Sequence, residues 1–378
     1  MSPRRPSPRA TVAAAAAAAT VAAGLVAERY VASRGRRLEA VPDEGLPPLA
    51  ELPPGARRIT SFDGTELAVF DGRIGREGNR LRGSRAHPVL VFVHGFALDV
   101  TSWHYQWKRF GENHRTVLYD QRGHGRSSHA GPEGYTFEAL GRDLEVVMET
   151  VVGPSPCVLL AHSMGAAALL SLVRRRPEWF DGSRVRAAVF ADTTAVNVVD
   201  EGIRGIWPRV ESASRPFVRA LATRPGDIRR LRSFAAGWGA DVASLATRLT
   251  NFGPGAPRTV VDHVVNLALH ADSAIWTTLL PAFFSANFSD ATGAIRVPSL
   301  VVVGREDRLT PVGVARSLAG RLADARLDVV DDAGHCAMLE RPESFNESLD
   351  AFLADVVRRQ ALPAPPRSES RRPSGRRR

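Results

Sequence analysis

Cys157-Val158-Leu159-Leu160-Ala161-His162-Ser163-Met164-Gly165-Ala166-Ala167-Ala168 is the stretch whose reading decides the fold. Val158 to Leu160 is a short apolar run suited to a buried strand, and Met164 to Arg175 is a longer run of helix formers. Between them the chain must turn sharply within a few residues. A serine at the tip of such a turn is held in strained backbone angles, so the positions two before and two after it must be small. Ala161 and Gly165 meet that demand.

Outward from this turn, strand and helix patterns alternate. Strands are expected at Val89 to Val93, Thr116 to Tyr119, Val158 to Leu160, Val185 to Ala191, Ser299 to Val303 and Leu327 to Val330. Helices are expected near Trp103 to Phe110, Thr136 to Val151, Met164 to Arg175, Gly313 to Leu322 and Glu343 to Arg359. The alternation implies an α/β fold: a mostly parallel sheet with helices on both faces. Arg58 to Asp71 alternates as a strand pair turning at Asp63-Gly64, and Gly72 to His87 reads as a surface loop. Residues 197–294 break the rhythm between two core strands, as an inserted helical cap would.

The chemistry-bearing residues follow the strand ends. Ala161-His162-Ser163-Met164-Gly165 resembles the nucleophile elbow of the α/β-hydrolase fold family, in its serine-nucleophile, esterase- and lipase-like branch, with Ala161 where the family has glycine. His94-Gly95-Phe96 ends the first long strand, where the resemblance implies half of an oxyanion hole, built from the backbone N–H groups of Phe96 and Met164. The His94 side chain is read as structural. Asp120-Gln121-Arg122-Gly123-His124-Gly125-Arg126-Ser127 matches a family turn and is assigned a structural role, His124 included.

Gly304-Arg305-Glu306-Asp307-Arg308-Leu309-Thr310-Pro311 resembles the family's acid turn, with Asp307 as the acid and Glu306 and Asp192 as alternatives. Asp331-Asp332-Ala333-Gly334-His335 follows the last strand and carries the expected base. The resemblance therefore implies a triad of Ser163, Asp307 and His335 in the chain order this fold requires. It covers residues 58 to 355. In the cap, Trp207, Trp276 and Phe284 are candidate substrate contacts, with plain packing an equal alternative. His263 and His270 are read as surface or core residues, and Trp103 and Trp107 as packing for the helix after the oxyanion loop.

Composition narrows the remaining classes. The net charge is +10, but residues 1–37 carry +6 and residues 367–378 carry +5, which leaves the rest near −1. A nucleic-acid enzyme would spread basic residues over the folded surface, so no nucleic-acid partner is expected. Cys157 and Cys336 belong at opposite ends of strands and are read as buried hydrophobes rather than a bridge. No metal-ligand spacing and no phosphate-binding glycine loop is present, so no metal or cofactor is expected.

Ala10 to Ala27 is an uncharged, alanine-rich run flanked by arginines. A membrane-anchoring N-terminal helix is the leading reading; a cleaved export signal and a soluble or disordered leader, hence a secreted or cytoplasmic protein, are the alternatives. The expected organisation is a leader at 1–39, a proline-rich linker at 40–57, a catalytic core at 58–196 and 295–360, the cap at 197–294 and an Arg-rich tail at 361–378.

The resemblance implies hydrolysis of a small apolar carboxylic ester through an acyl-enzyme. A lactonase, C–C hydrolase, perhydrolase or acyltransferase would use the same fold, and a non-catalytic binding protein is the alternative of a different class. Epoxide hydrolase and haloalkane dehalogenase chemistry need a carboxylate where Ser163 stands.

Overall fold

The computed structural model describes residues 49–72, 87–196, 248 and 251–361. The Ala10 to Ala27 run, the surface loop that follows residue 72, Trp207 and the Arg-rich tail lie outside the described residues. Among the described residues, no helix is long and apolar enough to cross a membrane.

Eight strands form one sheet in the order β1-β2-β4-β3-β5-β6-β7-β8. The first two, β1 (Ala56–Thr60) and β2 (Glu66–Gly72), make the expected hairpin, and β2 pairs antiparallel to β4 (Thr116–Tyr119). From there β3 (Val89–Val93), β5 (Cys157–His162), β6 (Val185–Ala191), β7 (Ser299–Gly304) and β8 (Ala325–Val330) run parallel. Every residue of β3, β4, β5 and β7 is buried, as expected where helices cover both faces of a parallel sheet.

The pleat divides the core. Val91, Val93, Leu159 and Ala161 face α2 (Phe137–Val147) and α3 (Met164–Arg175) on one side. Leu90, Phe92, Val158 and Leu160 face α1 (His104–Phe110) on the other. Both expected packing tryptophans, Trp103 and Trp107, belong to this second layer.

Between β6 and β7 the described chain holds α4 (Arg258–His270), α5 (Ser273–Ser285) and the single turn α6 (Ser289–Thr292). These helices are the described part of the expected cap. Val260, Val261, Val264 and Val265 join the second core layer, whereas Ile275, Leu279 and Phe288 join the first. Polar pins fix both main helices to the core. The His263 ring nitrogen Nε2 lies 2.7 Å from Thr101 Oγ1. Asp272 caps α5 through the Ala274 N–H and accepts the Tyr135 hydroxyl at 2.9 Å. After β7 come α7 (Val312–Arg321), the short α8 (Ala337–Glu340) and α9 (Pro342–Ala361).

The strand order sets where a site can form. From β3 the chain passes outward to β4 and then returns across β3 to β5. The loops leaving β3 and β5 therefore part in opposite directions and open a crevice at the strands' carboxyl ends. Among the described residues, four non-glycine residues have positive φ, and each follows one of these strand ends: Ala97, Ser163, Asp192 and Asp332. Such conformations cost about 1–3 kcal/mol each and persist where the surroundings over-determine them.

The Asp120 to Ser127 turn has the structural role expected of it. Asp120 accepts the N–H groups of Val100 and Arg126, and Ser127 Oγ accepts from Ala68 N–H. A Cβ on Gly125 would stand 2.3 Å from the Asp120 carboxylate, so only glycine fits. Arg122, wholly buried, donates to Asp143 at 2.6 and 2.7 Å and to Asp63 at 2.8 Å.

Candidate active site

Ser163 occupies the turn between β5 and α3 with φ 49° and ψ −120°, outside the regions a serine ordinarily adopts. Its N–H donates to Ala191 O on β6, and its own carbonyl accepts the Thr193 hydroxyl, so the end of β6 and the residues after it hold the turn. The small residue two positions on is obligatory: a Cβ on Gly165 would lie 2.6 Å from Val93 O. Ala161, buried within β5, shows that a methyl fits two positions before.

His335 lies in the loop between β8 and α8, and Asp307 in the loop between β7 and α7. The three side chains form a line. His335 Nε2 lies 2.8 Å from Ser163 Oγ, and His335 Nδ1 lies 2.9 Å from Asp307 Oδ2. All three residues are buried. Burial alone would depress the His335 imidazole, but the Asp307 carboxylate beside it lifts the ring above its ordinary value. Asp307 is shifted the other way: burial would raise it, yet His335 and the Thr310 hydroxyl hold it below the usual carboxylate range. The carboxylate therefore stays ionised, fixing the tautomer in which Nδ1 carries the proton and Nε2 can accept one.

The alternative acids sit elsewhere. Asp192 accepts the N–H groups of Gly304 and Ala337, which joins the acid loop to the start of α8. Burial and the neighbouring Asp307 push its carboxyl up. Glu306 accepts no contact from His335; its N–H donates to Ala333 O.

The loop after β3 passes directly over the serine. A Cβ on Gly95 would lie 2.5 Å from His162 Nδ1 and 3.2 Å from Ser163 Cβ, so the Gly95-Phe96 backbone can approach where a bulkier residue could not. Met164 opens α3, and its N–H belongs to the helix's first turn, which has no intrahelical acceptor. His94 holds this loop: its Nδ1 meets Gly95 O at 2.8 Å, while its Nε2 accepts the Gln121 N–H at 2.9 Å. Gln121 Nε2 returns a bond to His94 O at 2.6 Å. Burial keeps His94 and His124 neutral, the latter pushed down to about 4.

Of the cap candidates, Trp276 on α5 meets the Phe96 ring edge-on at 4.8 Å and remains 39% exposed. Phe284 falls on the last turn of α5. Phe283, its neighbour, packs edge-on against Phe137 at 6.4 Å, a core contact. His270 is exposed and bonded within its own helix. Both cysteines are free and buried. Among the described residues, no group of three or more His, Cys, Asp or Glu could hold a metal ion.

Sequence reasoning missed four residues at this site. Thr310 donates to Asp307 Oδ2 at 2.6 Å and fixes the carboxylate's rotamer; its place three residues after Asp307 was the available signal. His162 Nε2 lies 2.8 Å from His335 O, so the ring beside the nucleophile also holds the loop that carries His335. Burial and the nearby His335 push His162 down to about 3, leaving it neutral and able to donate this bond. Asn251 and Glu340 gave no local signal, because their contacts with the His335 loop are made across long sequence separations or through backbone atoms.

Residues 90–348 match the profile of the alpha/beta hydrolase family. The chain is 26% identical over 339 residues to the protein named "Probable oxidoreductase EphD" of Mycobacterium tuberculosis, a match covering 85% of this chain and 53% of that protein. This chain thus spans about half the length of that relative. It is 24% identical over 274 residues to 3-oxoadipate enol-lactonase 2 of Acinetobacter baylyi, covering 72% of this chain and 90% of the relative. An esterase from Exiguobacterium antarcticum superimposes with a TM-score of 0.61 at 21% identity, covering 79% of this chain and all of the other. With the family profile matching well over half of the chain, on a sheet whose strand order puts a serine turn at its switch point, the chain belongs to the alpha/beta hydrolase family.

Proposed function

We propose that the chain is a serine hydrolase of small apolar carboxylic esters, with Ser163 as nucleophile, His335 as general base and Asp307 as the acid that orients the histidine. The observation that carries this reading is the unbroken line from Ser163 Oγ through both His335 nitrogens to Asp307, at 2.8 and 2.9 Å.

In this reading Ser163 Oγ attacks the ester carbonyl while its proton passes to His335 Nε2. The oxygen of the tetrahedral intermediate takes the negative charge and is met by the N–H groups of Phe96 and Met164. Collapse breaks the bond to the alkoxide, which leaves with the proton from His335. Water then repeats the sequence on the acyl-serine, with His335 again as base, and releases the acid and free Ser163. Asp307 stays ionised throughout and stabilises the imidazolium. A cyclic ester, as in the name of the enol-lactonase relative, makes the same demands on these groups.

The test is a panel of p-nitrophenyl esters from acetate to long acyl chains, with wild type and Ser163→Ala side by side. Turnover of at least one ester that falls by 10³-fold or more on substitution is the expected result. No turnover, or turnover indifferent to Ser163, would overturn the reading.

A further inference from the structure

The loop carrying His335 is gripped by a carboxylate outside the triad. Glu340, at the end of α8 and 2% exposed, accepts three backbone N–H groups. Two flank the histidine: Gly334 N–H at 2.9 Å and Cys336 N–H at 3.2 Å, both to Oε1. The third, Gly253 N–H at 2.7 Å to Oε2, belongs to the segment that leads into α4. Two more bonds cross the same seam. His335 donates its own N–H to Asn251 O at 2.6 Å, and Arg341 Nη1 donates to Gly255 O at 3.2 Å.

The two backbones touch with no room for side chains. A Cβ on Gly334 would lie 2.6 Å from Asn251 O, from Gly253 N and from Phe252 C, and a Cβ on Gly253 would lie 2.9 Å from Asp332 O. Phe252 between them is anchored in the second core layer. A buried carboxylate is costly unless its oxygens are satisfied, and here they are satisfied wholly by backbone groups on either side of this seam.

We infer that Glu340 is a positioning residue, whose carboxylate clasps the loop bearing His335 to the 251–255 segment at the foot of α4, so that the imidazole meets Ser163 only while that segment is seated. This deepens the proposed function and rests on Ser163 and His335 acting as nucleophile and base. The inserted helices are thereby tied to the base itself, and a ligand that shifts them shifts the histidine.

Glu340→Gln is the discriminating variant. An amide keeps one acceptor for Gly334 and Cys336 but turns an NH₂ towards the Gly253 N–H, which cuts the carboxylate's own bond to the segment before α4 and leaves the rest of the clasp. On p-nitrophenyl acetate, kcat should fall at least tenfold with KM within about twofold of wild type. The acid limb of kcat/KM should also move to lower pH. His335 is faced by the Asp307 carboxylate, by the carboxyls of Asp192 and Glu340, which burial pushes up to about 8 and about 7, and by the neutral ring of His162, with Arg341 beside Glu340. Where Glu340 is ionised its charge favours the imidazolium, so removing that carboxylate lowers the His335 pKa. A residue that only supports the fold would lower the folded fraction without moving this limb.

Arg341→Met, which cuts the bond across the seam to Gly255 O together with the bond to the neighbouring Glu340 O, should lower kcat a few-fold with KM unchanged, and it serves as the test if Glu340→Gln does not fold. A folded Glu340→Gln with wild-type kcat and pH profile, or Arg341→Met with wild-type kinetics where the first variant fails to fold, overturns the inference alone. Wild-type turnover indifferent to Ser163→Ala overturns it together with the reading on which it rests.

Discussion

At the residue scale, the site is a set of opposed protonation states held by environment. His335 and Asp307 are equally buried from water, yet one is raised and the other lowered, because each is the other's counter-charge. The base works only when neutral, so kcat/KM on a soluble ester should rise with pH through a step above the ordinary imidazole value of 6.5. The sign follows from the shift: a raised pKa keeps the ring protonated, and inactive, to a higher pH. A pH profile of wild type measures this, and Asp307→Asn should lower kcat severely while moving the step downward. A wild-type step below 6.5 would contradict the assigned pairing. Ser163 was proposed from the small residues its sharp turn demands, and Asp307 and His335 from the resemblance of their turns to the family's and from the chain order of the three. His162 was not legible, since its contact with His335 O exists only once the ends of β5 and β8 are side by side; Thr310 was marked only by its place three residues after Asp307, and Glu340 meets backbone N–H groups that no residue type announces.

At the element scale, the strands were legible from their apolar runs, and the differences have local causes. β5 and β8 begin earlier than expected, at Cys157 and Ala325, because pairing with β6 and β7 extends them beyond their apolar residues. The helix expected over Thr136 to Val151 ends as α2 at Val147, and Met148–Val152 widens into a π-turn that stops at Gly153, where φ is 66°. Met148 and Glu149 continue the helix-forming run, and the β-branched Thr150, Val151 and Val152 that follow are poor helix formers, which marks the change. The inserted helices were legible as an interruption but not by contact. Trp276 was a candidate by residue type, and its edge-on approach to Phe96 gives it a position beside the proposed oxyanion site. Each methylene it covers would contribute ~0.8 kcal/mol. Trp276→Ala should therefore lower kcat/KM several-fold more for long-chain esters than for acetate. A uniform loss across chain length, with a lower Tm, would assign the ring to packing instead.

At the scale of the whole molecule, the strand order decides everything that follows. The order of β4, β3 and β5 puts the Gly95-Phe96 loop and Ser163 at one crevice, and β6, β7 and β8 bring Asp192, Asp307 and His335 to the same edge in succession. The alternation of elements made the parallel sheet legible, but no single segment encodes which strand lies beside which. The charge excess lies in residues 1–37 and 367–378, so it describes the ends of the sequence and not the site. In the proposed function one serine in this chain, Ser163, is activated by His335 and Asp307. Reaction of the full chain with a fluorophosphonate, followed by intact mass and peptide mapping, tests it most directly. The expected result is a single adduct on Ser163, none on that peptide in Ser163→Ala, and labelling slowed by orders of magnitude in His335→Ala. A folded wild-type chain that takes up no label, or labels at another serine at the same rate with or without His335, would contradict it.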